Sequence, residues 1–177
     1  WQPLKKYCDQ KGILFFSTPM SRGAAEMLNK LKVKIWKVGS GDILDFVMLD
    51  YLAGTGKPII LSTGMSTEKE IEQSIEFLKS KKVNLIIMHA VSKYPCQPED
   101  LNLQTISYLS QKFKIPVGFS DHSLEINSAV VAVALGACVI EKHFTLDRKT
   151  WGADHKVSLM PQEFKKMVAG IRKIERL

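Results

Sequence analysis

Apolar residues along the chain follow two alternating patterns. Short runs rich in Ile, Val, Leu and Phe begin near Ile13, Lys34, Pro58, Asn84, Pro116 and Cys138. Each run is continuously apolar where an exposed strand would alternate, so the runs predict buried parallel strands. The stretches between them follow a helical period. Thr67 and Glu70 have the spacing of a capping box ahead of Ile71, Ile75 and Leu78, which share one face. Gly136 stands where the helix through Ala129, Val133 and Leu135 should stop. Pro161 stands near the start of a helix with the stripe Phe164, Met167, Ile171 and Ile174, and Pro3 to Gln10 reads as the tail of another helix.

No long linker, low-complexity stretch or compositional break interrupts this array. Residues 1–177 therefore predict one α/β domain of about six units, at roughly 25–30 residues per βα unit. A doubly wound sheet and a (β/α)8 TIM barrel both fit such a repeat. An open sheet gathers its site at one switch point, whereas here almost every run ends in polar residues. These are Ser17 and Thr18, Lys37 and Ser40, Ser62 and Thr63, His89 and Ser92, Ser120 to His122, and Glu141 to His143. That layout predicts a barrel mouth. Six strands leave an eight-stranded ring open, and the helix before Ile13 points to a preceding strand, so the expectation is a partial TIM barrel lacking its first two strands.

Composition narrows the class. Hydrophobic residues make up 45% and charged residues 24%, which is ordinary for a globular protein and excludes disordered, collagen-like and coiled-coil chains. The formal charge of +7 suits anionic ligands such as phosphorylated metabolites. The cations are scattered. Lys79, Lys81 and Lys82 end one helix and Arg172, Lys173 and Arg176 sit in another, so no nucleic-acid footprint is expected. No apolar run reaches about 18 residues, and no membrane partner is expected. Cys8, Cys96 and Cys138 have no metal-site spacing and leave one unpaired, which points to a reducing, cytoplasmic setting.

The candidate chemistry sits at the strand ends. His122 and His143 close two adjacent predicted strands, with Asp121, Glu141 and Asp154 nearby in sequence. Each histidine alone is readable as a hydrogen-bonded strand end. As a pair they suit an exchangeable divalent ion, Mn²⁺ or Mg²⁺, better than a closed structural Zn²⁺ site. Lys37 precedes Gly39, Ser40 and Gly41, a cation beside a flexible turn that suits phosphate or carboxylate. The run Ser62 to Ser66 repeats this arrangement and leads into a helix N-terminus that favours anions. Both runs are equally readable as βα turns built of small residues. Thr18 before Pro19 is a weaker candidate of the same kind. Ser92, Lys93 and Tyr94 offer a hydroxyl, a cation and an aromatic for a sugar or acid pocket, or simply anchor a loop. Gly152 to Lys156 carries Asp154 and His155 over the mouth, and His89 reads as structural.

The motifs KVGSG at Lys37–Gly41, LSTGM at Leu61–Met65, SKYP at Ser92–Pro95, GFSDH at Gly118–His122, IEKHFT at Ile140–Thr145 and GADHK at Gly152–Lys156 resemble the sialic acid synthase family in order and over essentially the whole chain. That family includes N-acetylneuraminate, legionaminic and pseudaminic acid synthases and a spore-coat polysaccharide protein. The resemblance implies a (β/α)8 barrel followed by a small antifreeze-like domain, in a domain-swapped homodimer. It implies metal-dependent condensation of phosphoenolpyruvate with an N-acylated hexosamine such as N-acetylmannosamine, releasing phosphate to leave a nine-carbon 2-keto acid. His122 and His143 would be the metal ligands. Thr18, Lys37, Ser40, Ser62, Ser92 and Ser120 would hold phosphoenolpyruvate, and Tyr94, Glu141 and Asp154 would face the sugar, with Glu141 and Asp154 among the catalytic carboxylates. Asp42, a third, stands where many members have Glu, and Ser92 where some have Asn. The family's first two strands and its C-terminal domain have no counterpart in the sequence, so these 177 residues alone are expected to have little activity.

Two other readings compete. One is an aldolase-like barrel in which Lys37 or Lys142 forms a Schiff base with a keto acid. The other is a degenerate, non-catalytic binding module.

Overall fold

Backbone pairing decides which apolar runs become strands. The computed structural model describes residues 1–177, and the chain falls into two compact units, Trp1–Ile86 and Ile87–Leu177. In the first, α1 (Gln2–Gln10) leads to α2 (Arg22–Lys30), β1 (Trp36–Val38), α3 (Phe46–Ala53), β2 (Ile59–Ser62) and α4 (Glu68–Ser80). Side chains cap these helices. Ser21 Oγ accepts from the Ala24 N–H of α2, and Asp45 Oδ1 accepts from the Met48 N–H of α3. The expected box on α4 is present: Thr67 Oγ1 accepts from Glu70 N–H, and Glu70 Oε2 accepts from Thr67 N–H at 2.7 Å. β1 and β2 run parallel with Trp36 opposite Ile59 and Val38 opposite Leu61. Leu28, Trp36, Leu49, Leu52, Ile59, Leu61, Ile75 and Leu78 fill the core around them.

The run beginning at Ile13 is not a strand, which corrects the expected count from six to five. Ile13 is 61% exposed and its N–H bonds back to the Cys8 carbonyl at the end of α1. An apolar sequence becomes a strand only where a neighbour takes up its backbone groups, and this run has no ladder.

In the second unit β3 (Leu85–Ala90, within this unit from Ile87), α5 (Gln104–Phe113), β4 (Val117–Asp121), α6 (Asn127–Ala134), β5 (Ile140–Lys142) and α7 (Pro161–Ile174) repeat the pattern. β3 pairs with β4 and β4 with β5, all parallel. Gly136, at φ +100°, follows α6 where the stop was expected. Met167 of α7 is buried against Ala129 and Leu159, with Phe164 and Ile171 packed beside it. Gly118 lets β4 approach its neighbours: a Cβ there would meet the Met88 sulfur and lie 2.7 Å from the Val139 carbonyl. No helix is long and apolar enough to cross a membrane.

His89 is structural, as expected. Its buried ring stacks on Phe119, and Nε2 donates to the Leu101 carbonyl at 2.7 Å. Burial pushes its pKa below the usual imidazole range, the carbonyl opposing. The unfolded chain then takes up a proton near pH 6.5 that the folded chain refuses, so the contribution to stability is complete above that value and lost as pH falls below it. Urea midpoints should decline between pH 7 and pH 5, and His89→Gln should flatten that decline. An unchanged slope would contradict the assignment.

Candidate active site

The register of β4 and β5 builds the main cluster. Ser120 faces Glu141 and Asp121 faces Lys142, so the next rung brings His122 beside His143. Successive side chains of a strand point to opposite faces. Ser120, His122, Glu141 and His143 accordingly share one face, and Asp121 and Lys142 share the other. On the first face Ser120 Oγ donates to Glu141 Oε1 at 2.7 Å and lies 3.4 Å from His122 Nε2. The imidazole rings of His122 and His143 have centroids 5.5 Å apart.

The tautomer of His122 follows from its neighbours. Nδ1 lies 2.7 Å from the Val91 carbonyl, which can only accept, so Nδ1 carries the proton. Nε2 then presents its lone pair, and the Tyr94 hydroxyl donates to it across 3.2 Å. Burial keeps the His122 pKa low; the Val91 carbonyl and the Glu141 and Asp121 charges oppose it, and His143 adds to it. The Tyr94 ring lies 4.1 Å from the His122 ring, tilted by 31°, and meets the His143 ring edge-on at 5.8 Å; the peptide bond from Tyr94 to Pro95 is cis. Burial, with the charges of Asp154 and Glu141, raises its pKa, so it stays a phenol at neutral pH. Asp154 Oδ2 stands 3.7 Å from His143 Nδ1, at the start of a short 3₁₀ turn. The preceding loop is tied down where Arg148 makes two bonds to Glu163, at 3.0 and 2.7 Å, and Thr145 Oγ1 meets His155 Nδ1 at 2.7 Å. Ser92 is half-buried in the turn between Val91 and Tyr94.

This donor chemistry fits a divalent ion. A neutral imidazole anchored through one nitrogen to a backbone carbonyl, with the other nitrogen's lone pair turned away from that anchor and a second imidazole nearby, is an arrangement metal-binding histidines use. No three His, Cys, Asp or Glu side chains cluster as ligands. His122 and His143 would therefore be the two protein ligands of an ion such as Mn²⁺ or Mg²⁺, the remaining positions taken by oxygens of water or substrate.

The first unit holds its own polar group. Lys37 is buried at the end of β1, and its ammonium donates to Ser62 Oγ at 2.7 Å. Ser40 Oγ accepts from the Gly64 N–H at 3.0 Å. Thr18 and Asp42 flank Gly39, with Asp42 Oδ2 3.7 Å and Thr18 Cγ2 3.9 Å from where a Cβ would stand. At the N-terminus of α4, Glu70's own carboxylate takes up the Thr67 N–H and hydroxyl.

Two roles were not read from the sequence. The Val91 carbonyl that orients His122 carries no side-chain signal. Lys142, a Schiff-base candidate, is instead an ion-pair partner. Its ammonium is 2.8 Å from Asp121 Oδ2 with both side chains fully buried, and it donates to the Ser123 carbonyl at 2.6 Å. Burial lowers its pKa and Asp121 raises it. The alternation of Asp121 against Ser120 and His122 was the available signal.

In each unit the central candidates, Lys37 and Ser62 in one and Ser120, His122, Glu141 and His143 in the other, lie at the carboxyl ends of parallel strands, the position that (β/α)-barrel enzymes use for chemistry. The family model of the NeuB family matches residues 1–177, and the chain belongs to that family. It is 44% identical over 167 residues to the N,N'-diacetyllegionaminic acid synthase of Campylobacter jejuni, covering 93% of this chain and 50% of that protein. It is 41% identical over 178 residues to the human N-acetylneuraminate-9-phosphate synthase, covering 99% and 49%. The crystal structure of an N-acetylneuraminic acid synthetase from Leptospira borgpetersenii, in complex with citrate, superposes with a TM-score of 0.96 at 39% identity, over 99% of this chain and 61% of that one. A DAHP synthase from Thermotoga maritima, at 18% identity and a TM-score of 0.82, shares the fold alone, over 97% of this chain and 53% of that one. The chain thus spans about half the length of the curated relatives it matches. These relatives are sugar-acid synthases, and the chain carries their α/β fold.

Proposed function

We propose that the protein carrying this chain condenses phosphoenolpyruvate with an N-acylated hexosamine, forming a nine-carbon 2-keto acid of the sialic acid type and releasing phosphate. The observation that carries the reading is the His122–His143 pair, with the His122 Nε2 lone pair fixed by the Val91 carbonyl and the two rings 5.5 Å apart. When bound there, a divalent ion supplies Lewis-acid polarisation of the sugar aldehyde.

The chain's own groups bind and orient the reactants. Lys37, with Ser40, Ser62 and Thr18 nearby, offers a buried cation and hydroxyls to the phosphate and carboxylate of phosphoenolpyruvate, whose charges otherwise repel. Ser120 and Ser92 add hydroxyls at the ends of β4 and β3. Glu141, held by Ser120, and Asp154, beside His143, accept from sugar hydroxyls and are placed to move a proton at the aldehyde oxygen. Tyr94 gives the sugar a face to stack on and a phenol that stays protonated. Asp42 completes the polar rim in the first unit. The buried ion pair of Lys142 with Asp121 speaks against a Schiff base at that lysine.

The test uses the complete protein, Mn²⁺, phosphoenolpyruvate and a panel of N-acyl hexosamines. Phosphate release that matches, mole for mole, a nine-carbon acid detected by mass spectrometry is the expected result. Borohydride trapping of pyruvate on Lys37 or Lys142, without metal-dependent phosphate release, would overturn the reading in favour of the aldolase alternative.

A further inference from the structure

The face of β4 and β5 opposite the histidines holds a closed ionic network that the proposed chemistry does not use. The Lys142 ammonium lies 2.8 Å from Asp121 Oδ2, with neither side chain exposed. Asp121 Oδ2 also accepts from Ser128 Oγ at 2.6 Å, and Asp121 Oδ1 accepts from the Ser123 N–H at 2.8 Å. Lys142 donates further to the carbonyls of Ser123, at 2.6 Å, and Glu125, at 3.2 Å. A buried ion pair is weak evidence for stability, because desolvating two charges offsets most of their attraction; its best-attested use is to fix register. Here the register has an unusually direct reading. Asp121 and Lys142 occupy one rung, and each is followed by one of the two histidines. A slip of one residue between these short strands would turn His143 to the face now taken by Lys142 and bury a lysine toward His122.

We propose that the Asp121–Lys142 pair, closed by Ser123 and Ser128, is a register pin that keeps His122 and His143 on facing rungs. Both are positioning residues; they act through the rings behind them and touch no substrate. The consequence for ion binding rests on the reading under Proposed function, whereas the spacing of the rings does not.

The experiment uses the complete protein with selectively ¹³C-labelled histidine. Removing one partner alone would strand a buried charge, so the pair is replaced together as Asp121→Asn with Lys142→Met, which keeps the shape and lets the Asn oxygen still accept from Ser123. In the parent, ring protons of His122 and His143 should show a mutual nuclear Overhauser effect. In the double variant that effect should weaken severalfold and Mn²⁺ affinity, followed by the spin resonance of the free ion, should fall about 10- to 100-fold, while the urea midpoint stays near the parent's. A folded double variant with an undiminished ring-to-ring signal and Mn²⁺ affinity within twofold of the parent overturns the proposal. Should the double variant not fold, Ser128→Ala is read the same way: about a threefold weaker affinity and a reduced ring-to-ring signal support the pin, and no change in either overturns it. A parent that takes up no Mn²⁺ sensitive to His122→Ala sinks the ion-binding reading instead, and the pin is then decided by the ring-to-ring signal alone.

Discussion

His122→Ala in the complete protein is expected to lower the rate of phosphate release by about a thousandfold, roughly 4 kcal/mol of transition-state stabilisation, and to abolish saturable Mn²⁺ binding. The size follows from the geometry. Nε2 is a lone pair that the structure fixes in direction, because Nδ1–H is committed to the Val91 carbonyl. Removing the ring takes away one of only two imidazoles, and no group of three His, Cys, Asp or Glu side chains is gathered to hold an ion in its place. It also leaves the Val91 carbonyl without its side-chain donor and the Tyr94 hydroxyl without its acceptor. Melting curves taken beside the rate assays separate this from collapse of the fold. A variant that keeps its melting temperature and a tenth or more of the parent rate would remove His122 from the chemistry.

The second large effect is on stability. Gly118→Ala should cost about 3 kcal/mol, because its Cβ has nowhere to go: the Met88 sulfur sits in its path and the Val139 carbonyl is 2.7 Å away. The Val139 carbonyl is backbone and cannot swing aside, and the Met88 thioether, though flexible, is fully buried and can move only by displacing its neighbours. The strain falls on β4, two residues before Ser120 and four before His122, so the alanine variant should also bind Mn²⁺ more weakly than the parent. Urea denaturation gives the first quantity and metal titration of the folded variant the second. A loss under 1 kcal/mol would mean that β4 can shift sideways, and the tight strand spacing would not be what positions the site.

Five of the six apolar runs were legible as strands because each is paired in parallel and all but the last are buried, so their hydrophobicity reports their environment. Ile13 to Phe16 has the same composition without a ladder, and composition says nothing of partners. Helix signals transferred well for a similar reason: the Thr67–Glu70 box and the Gly136 stop are local chemistry, complete within a few residues. Site residues were legible as types at strand ends. Their facing was not read, although period-two alternation carries it: His122 and His143 fall with Ser120 and Glu141, while Asp121 and Lys142 fall behind them. The Val91 carbonyl could not be read at all, since backbone oxygen is the same in every residue.

The turn that leaves β3 holds one imidazole by a carbonyl at Val91 and offers an aromatic ring at Tyr94, three residues on. Two grips on so short a tether cannot move separately. Any replacement among residues 91–94 that tilts the loop will swivel the histidine along with it, and its first symptom will be a disturbed ion rather than a poorly held sugar.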